Sequence, residues 1–337
     1  MPEIKEALVT VAATKSGLER LFAALAPAKV NYVMPYAPGA KEQIAEYAKT
    51  ADVAILNGDL DDSILVGENL KWIHCCHAGL DRSARPEVFQ RGIILTSSSG
   101  RSAPALAQHA MLFLEALTYE LPMLFKAQQN HKWAANREYA QKVGIFGRTM
   151  GIIGLGKNGM EMARLAKVYD MTVLGWHRRR GTKENVDEVY GSEDGDKLTD
   201  LLARCDYVVL CIELNDQTFH MMGAEQFKAM KPTAFLVNMA RGKVVDEKAL
   251  VAALQSGEIG GAGLDTFEVE PLPGDSPLWD MENAIITPHC TPSLPDREAR
   301  MLDYAIQNVT AYREGTPFVN RITEKSLYTG ERYTAKY

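Results

Sequence analysis

The stretch "TMGIIGLGKNG", residues 149–159, constrains this 337-residue chain more than any other. A β-rich run ends in Gly154-x-Gly156-x-x-Gly159, and "MEMARLAKVYD" follows with Met162, Leu165, Ala166 and Tyr169 on one helical face. Strand, tight turn and helix in that order are what a dinucleotide-binding βαβ unit requires. Gly154 permits the turn, Gly156 lets the backbone approach a pyrophosphate, and Gly159 lets helix and strand pack closely. Lys157 and Asn158 complete the loop, where a helix amino terminus offers unpaired N–H groups to phosphates.

The next expected strand ends in "VLGWHRRR", residues 173–180, at the place where the cofactor ribose meets the protein. In NAD-specific proteins an Asp or Glu about 20 residues beyond the loop accepts from the ribose 2′-OH. Here His177 stands 18 residues after Gly159, followed by three arginines. An acid there would repel a 2′-phosphate, whereas His177, Arg178 and Arg179 attract one. The stretch points to NADP(H) in preference to NAD(H), with Arg180 a bystander.

The rest of the chain repeats the same rhythm. Expected strands at 6–13, 30–36, 52–57, 71–76 and 93–98 alternate with amphipathic stretches, and a second series runs near 149–153, 172–176, 206–212, 233–238, 260–264 and 284–287. Such alternation predicts parallel sheets covered by helices on both faces. Ser102 and Pro104 open a helix over 103–121 that Pro122 ends or kinks. After the prolines of "ITPHCTPSLP" a helix near 297–313 is too small to stand alone and is expected to pack back on the first series. The fold class is α/β: two Rossmann-like or flavodoxin-like domains, the cofactor domain (104–291) inserted in a substrate domain (1–103 and 292–337).

Composition narrows the partners. With 46% hydrophobic residues, 24% charged residues and a net charge of −6, nothing favours a nucleic-acid partner. The most apolar stretch, "AMLFLEAL", is too short to span a bilayer. The amino terminus carries no basic segment followed by an apolar core, and five cysteines without C-x-x-C spacing fit a reducing cytoplasm. "HCCH" at 74–77 resembles a metal quartet, but strand neighbours point to opposite faces, so no metal site is expected there.

Three later segments carry chemistry: "LVNMARGKVVDEKAL" with Arg241, "GLDTFEVEPL" with Asp265 and Glu270, and "ITPH" with His289. Arg241 and His289 each follow an expected strand and Glu270 lies just beyond another, at the sheet end where α/β proteins bind ligands. With the glycine loop and "WIHCCHAGLDR", these segments resemble the D-isomer-specific 2-hydroxyacid dehydrogenase family over about residues 50–315. The resemblance implies reduction of a small 2-keto acid by a nicotinamide, and in most relatives a homodimer. It implies His289 as proton donor, Glu270 as its orienting partner and Arg241 as the substrate carboxylate clamp. The N–H groups of Ala78 and Gly79 become a second carboxylate anchor, and Asp265 the acceptor for the nicotinamide carboxamide.

Departures from the family pattern are His177 for the usual acid, Gln108 for a common Glu, Cys290-Thr291 for a small apolar pair, and "IELNDQT" without a proline. None removes a catalytic group. Glu270 disfavours a formate dehydrogenase, which carries an amide there. A dinucleotide-sensing corepressor-like protein and a phosphite dehydrogenase-like enzyme are the alternatives on this fold. The apolar 103–121 helix and "KAQQNHKWAANREY" are expected to build the homodimer.

Overall fold

The computed structural model describes residues 3–134, 139 and 142–330. It divides into two units: one reaches Ser102 and resumes at Ser293, and the other is Ala103–Pro292. In the first unit β1 (Glu6–Thr10), β2 (Lys29–Tyr32), β3 (Val53–Leu56), β4 (Trp72–Cys75) and β5 (Ile94–Ser97) pair in parallel, in the order β2–β1–β3–β4–β5. Every residue of β3 and β4 is buried, as expected for strands covered on both faces. Trp72 and Cys76 join the core on one face, Ile73 and Cys75 the core on the other. The two cysteines of "HCCH" are thus separated by the sheet. His74 is a core histidine, with Nδ1 2.8 Å from Thr96 Oγ1 and Nε2 3.0 Å from Ser98 Oγ. Burial, and then the charge of His77, pushes its pKa down to about 3, so it stays neutral.

The second unit holds β6 (Thr149–Ile153), β7 (Thr172–His177), β8 (Glu188–Gly191), β9 (Tyr207–Leu210), β10 (Phe235–Asn238), β11 (Gly261–Leu264) and β12 (Ala284–Ile286). Their order is β8–β7–β6–β9–β10–β11–β12, parallel throughout. The chain steps outward from β6 to β8 and then returns to the other side of β6 as β9. This reversal is the topological switch point, where α/β sheets of this kind bind dinucleotides. Edge strand β8 is an addition to the expected set; its sequence, EVYG, offers no apolar run.

The helix Ala103–Thr118 buries ten of its sixteen residues within this unit, Phe113 and Leu114 among them. It sits so close to β11 that a Cβ on Gly263 would lie 2.5 Å from Phe113. Most of its apolar character is thus absorbed within its own unit, although Leu112 stays 54% exposed. The expected continuation to 121 is corrected. The helix stops at Thr118, Glu120 turns left-handed (φ 48), and Pro122 sits in the first turn of a new helix, Leu121–Gln129. Proline lacks the N–H that a first turn does not use, so it opens this helix rather than ending the previous one. The helix Leu121–Gln129 fully buries none of its residues; its Met123 and Phe125 are exposed, as is Trp133 just beyond it. Residues 135–138 of the expected dimer extension lie outside the described residues.

After Ser293 the chain returns to the first unit. The helix Arg297–Glu314 seats Met301, Leu302, Ala305, Val309 and Tyr312 against Leu21 and Trp72, as its pattern predicts. The short β13 (Arg321–Ile322) then pairs antiparallel with β5. Among the described residues no helix is long and apolar enough to cross a membrane.

Candidate active site

The glycine loop lies at the switch point. Gly154 has φ +102, and a Cβ there would lie 2.7 Å from the Cys211 carbonyl oxygen beyond β9. On Gly159 a Cβ would fall 1.9 Å from the Gly154 carbonyl oxygen. Both glycines are demanded by the protein's own backbone. Gly156 is different: a Cβ there meets nothing within 4 Å. The room above it is what a pyrophosphate needs, and it fronts the helix Lys157–Val168, whose Gly156 cap supplies no side-chain bond. Lys157 is exposed at this end, and Asn158 Oδ1 is buried without a hydrogen-bond partner among the described residues. This cradle fits a dinucleotide.

His177 ends β7 and is half-buried. Burial first, then the charges of Lys183 and Arg178, lowers its pKa, so the ring is neutral near pH 7. The arginines divide unequally. Arg180 makes a bidentate pair with Asp196, its Nε at 2.7 Å, which holds that carboxyl down at about 2. Arg179 Nε lies 2.9 Å from Glu193 Oε2. Arg178 is exposed and has no ion pair among the described residues. The acids arrive on the turn after β8, the strand the sequence pattern did not reveal.

At the end of β10, Asn238 is nearly fully buried and fixes the turn bearing Arg241. It accepts from the Ala240 N–H at 3.0 Å and donates to the Arg241 carbonyl at 3.1 Å. A Cβ on Gly242 would lie 1.8 Å from the Phe267 carbonyl, so this turn touches the one after β11 backbone to backbone. Glu247 and Glu268 brace the contact by exchanging bonds, each accepting from the other's N–H at 3.0 and 3.1 Å. His220, Asp246 and Glu268 gather within 4.8 Å beside it, a cluster that no sequence motif announced. Asp246 caps the next helix through the Ala249 N–H, so two of its members already serve the backbone.

Glu270 Oε1 accepts from the Phe267 N–H at 3.0 Å, and Oε2 lies 2.9 Å from His289 Nδ1. Burial raises the carboxyl's pKa, but the bonds from His289 and Phe267 and the charges of His289 and Arg241 outweigh it, leaving the pKa below its usual value. His289 follows β12 with φ 49, a left-handed conformation that costs a non-glycine residue energy and must be held by its surroundings. Asp265, almost wholly buried, supplies part of that hold. It accepts from Thr287 Oγ1 at 2.6 Å and the Cys290 N–H at 3.0 Å, and lies 3.3 Å from Thr291 Oγ1. The structure thus brings His289, Glu270 and the charge of Arg241 together, with Asp265 bracing the histidine turn.

Ala78 and Gly79 lie in the first unit, on the turn after β4, where Gly79 has φ +75. Beside them His77 Nδ1 lies 3.0 Å from the Ala78 carbonyl oxygen, and its Nε2 is 3.4 Å from Asp59.

Residues 111–291 match the family described as D-isomer specific 2-hydroxyacid dehydrogenase, NAD binding domain. Over 284 residues the chain is 35% identical to a glyoxylate reductase of Korarchaeum cryptofilum (strain OPF8), covering 83% of this chain and 85% of that one. Among solved structures it is similar to a D-isomer specific 2-hydroxyacid dehydrogenase from Xanthobacter autotrophicus Py2 in complex with NADPH and MES, at 26% identity and TM-score 0.77, over 96% of this chain and 99% of that one. It is also similar to a probable 2-hydroxyacid dehydrogenase from Rhizobium etli CFN 42 in complex with NADP, HEPES and L(+)-tartaric acid. That match has 26% identity, a TM-score of 0.75, and spans 95% of this chain and 98% of that one.

Proposed function

The chain belongs to the D-isomer specific 2-hydroxyacid dehydrogenase family, oxidoreductases that bind a nicotinamide dinucleotide, and we propose that it reduces a small 2-keto acid with a preference for NADPH. The observation that carries this reading is the 2.9 Å contact between His289 Nδ1 and Glu270 Oε2. With Nδ1 held by the carboxylate, Nε2 is the atom left to exchange a proton with substrate. Glu270 keeps the ring oriented, with Nε2 facing the developing alkoxide it would protonate. Arg241 clamps the substrate carboxylate by charge-assisted bonds and polarises the keto oxygen. The resemblance to the family adds the Ala78 and Gly79 N–H groups as a further anchor for a substrate carboxylate. Bound at Gly154, Gly156, Lys157, Asn158 and Gly159, the nicotinamide cofactor supplies the hydride.

The NADPH preference is supported by Arg178, by the neutral His177 in place of an acid, and by the NADPH and NADP held by the solved relatives. Glyoxylate and hydroxypyruvate head the candidate substrates, given the glyoxylate reductase among the relatives, with larger 2-keto acids behind them. Five free cysteines support a reducing, cytoplasmic setting. Met123, Phe125 and Trp133 support a homodimer. The test is turnover of NADPH and NADH with glyoxylate, hydroxypyruvate, pyruvate and branched or aromatic 2-keto acids. Oxidation of NADPH with at least one of them is expected. Binding of the dinucleotide without turnover of any acid would refute the enzyme reading.

A further inference from the structure

Behind the His289 turn lies a ring of side chains that the proposed chemistry does not use. His109, from the helix Ala103–Thr118, is 6% exposed and stacks on Phe113 with ring centroids 4.6 Å apart. Its Nδ1 lies 2.9 Å from Thr291 Oγ1 and its Nε2 lies 3.3 Å from Thr287 Oγ1. Those two hydroxyls in turn reach the two oxygens of Asp265, at 2.6 Å from Thr287 and 3.3 Å from Thr291. Thr287 and Thr291 stand two residues before and two after His289. The ring therefore grips both ends of the turn whose left-handed centre needs holding.

Counting hydrogens fixes the state of the ring. Each hydroxyl owns one hydrogen, and an ionised carboxylate owns none. In the 2.6 Å contact the hydrogen of Thr287 must lie toward Asp265. The Thr287 oxygen can then only accept from His109, so Nε2 carries a hydrogen. Burial opposes a charged imidazole here, against the attraction of Asp265, and His109 is held below its ordinary pKa. Nδ1 is then bare and takes the hydrogen of Thr291. That assignment uses the 2.9 Å contact and gives up the longer 3.3 Å one between Thr291 and Asp265.

We infer that His109 is a positioning residue: as a neutral imidazole protonated on Nε2, it orients the Thr287 and Thr291 hydroxyls and so holds the turn that presents His289. The inference rests on the reading of His289 as the acid–base group, but its first test does not. Nitrogen-15 NMR of the full chain labelled in histidine, with His109 assigned through His109→Gln, reads the tautomer directly. A neutral ring with hydrogen on Nε2 at pH 7 is expected; an Nδ1-protonated ring or an imidazolium would overturn the assignment. In the second test, Thr291→Val keeps the shape and removes the hydrogen, and Thr291→Ser restores it. Thr291→Val should lower kcat about ten- to hundredfold with little change in the KM for keto acid, as expected for a misplaced catalytic group. Thr291→Ser should recover most of the rate. Equal losses in Val and Ser, or an effect on KM alone, would remove His109 from the positioning role. A wild-type chain that turns over no 2-keto acid would sink the functional reading, while the tautomer measurement still decides the ring.

Discussion

His289 Nδ1 and Glu270 Oε2 lie 2.9 Å apart, and the other oxygen of Glu270 is tied to the Phe267 N–H at 3.0 Å. Both oxygens are thus committed, so the carboxylate cannot swing away from the ring. Fixing one carboxylate fixes the imidazole's tautomer and its outward-facing nitrogen together.

Replacing Glu270 by Gln removes the negative charge and keeps the shape. The imidazole then loses the anionic acceptor that orients it, so kcat for reduction should fall with little change in the KM for the keto acid. Stability gives a second sign. The folded carboxyl has a lowered pKa, so its contribution is present above the ordinary carboxyl range and is lost as pH falls through the lowered value. The melting temperature of the wild type should therefore converge on that of Glu270→Gln in acid. Equal kcat values, or a melting-temperature difference that stays constant into acid, would show that the pair is not coupled as described.

Removal of His289 and of Arg241 should differ in kind. His289→Ala should lower kcat by about 10²–10⁴, the usual worth of a positioned proton donor, with a small effect on substrate binding. Arg241→Ala should lower kcat and also raise the KM for the keto acid, because the clamp acts in the ground state as well as the transition state. Steady-state kinetics over a range of keto acid concentrations separate the two. Near-normal values in either variant would remove that residue from the mechanism.

Most of the fold was legible because the central strands of both sheets are parallel and buried, so strands such as VAIL and WIHC stand out as apolar runs. β8 escaped notice because it is an edge strand of mixed character, and its absence hid the acids that occupy Arg179 and Arg180. The glycine loop was readable from spacing, whereas the pairing of His289 with Glu270 came from the resemblance to the family, since spacing places each residue only near a strand end. The ring around His109 came from neither. Its contacts join residues 178 and 182 positions apart, and neither threonine stands out from an ordinary loop.

The exposed apolar residues lead to a prediction about assembly. The helix Leu121–Gln129 has no fully buried residue and displays Met123 and Phe125, with Trp133 90% exposed just beyond. Light scattering at micromolar concentration should return the mass of a dimer. Met123→Asp combined with Phe125→Asp should shift it toward monomer, because an unpaired charge in an apolar interface is costly. A monomer mass for the wild type would decide against the dimer.

Cofactor choice should follow Arg178, the arginine of the run without an ion pair among the described residues. A phosphate bond to Arg178 is worth about 1.5–3 kcal/mol, roughly ten- to hundredfold in affinity. Arg178→Ala should therefore raise the KM for NADPH by that order and leave NADH turnover nearly unchanged. The effect belongs in KM, because the 2′-phosphate lies far from the reacting carbon and binds alike in ground and transition states. Arg179 is held by Glu193, but an exposed pair of this kind is weak, so a phosphate can recruit it. Arg178→Ala with Arg179→Ala should thus erode the preference further than Arg178→Ala alone. Adding His177→Asp should turn it toward NADH, since a carboxylate accepts from the ribose hydroxyl and repels the phosphate. Added salt should weaken NADPH more than NADH, as screening acts on exposed charges. Equal efficiency of the two cofactors in the wild type would reduce "HRRR" to a solvated run of charge at the end of β7.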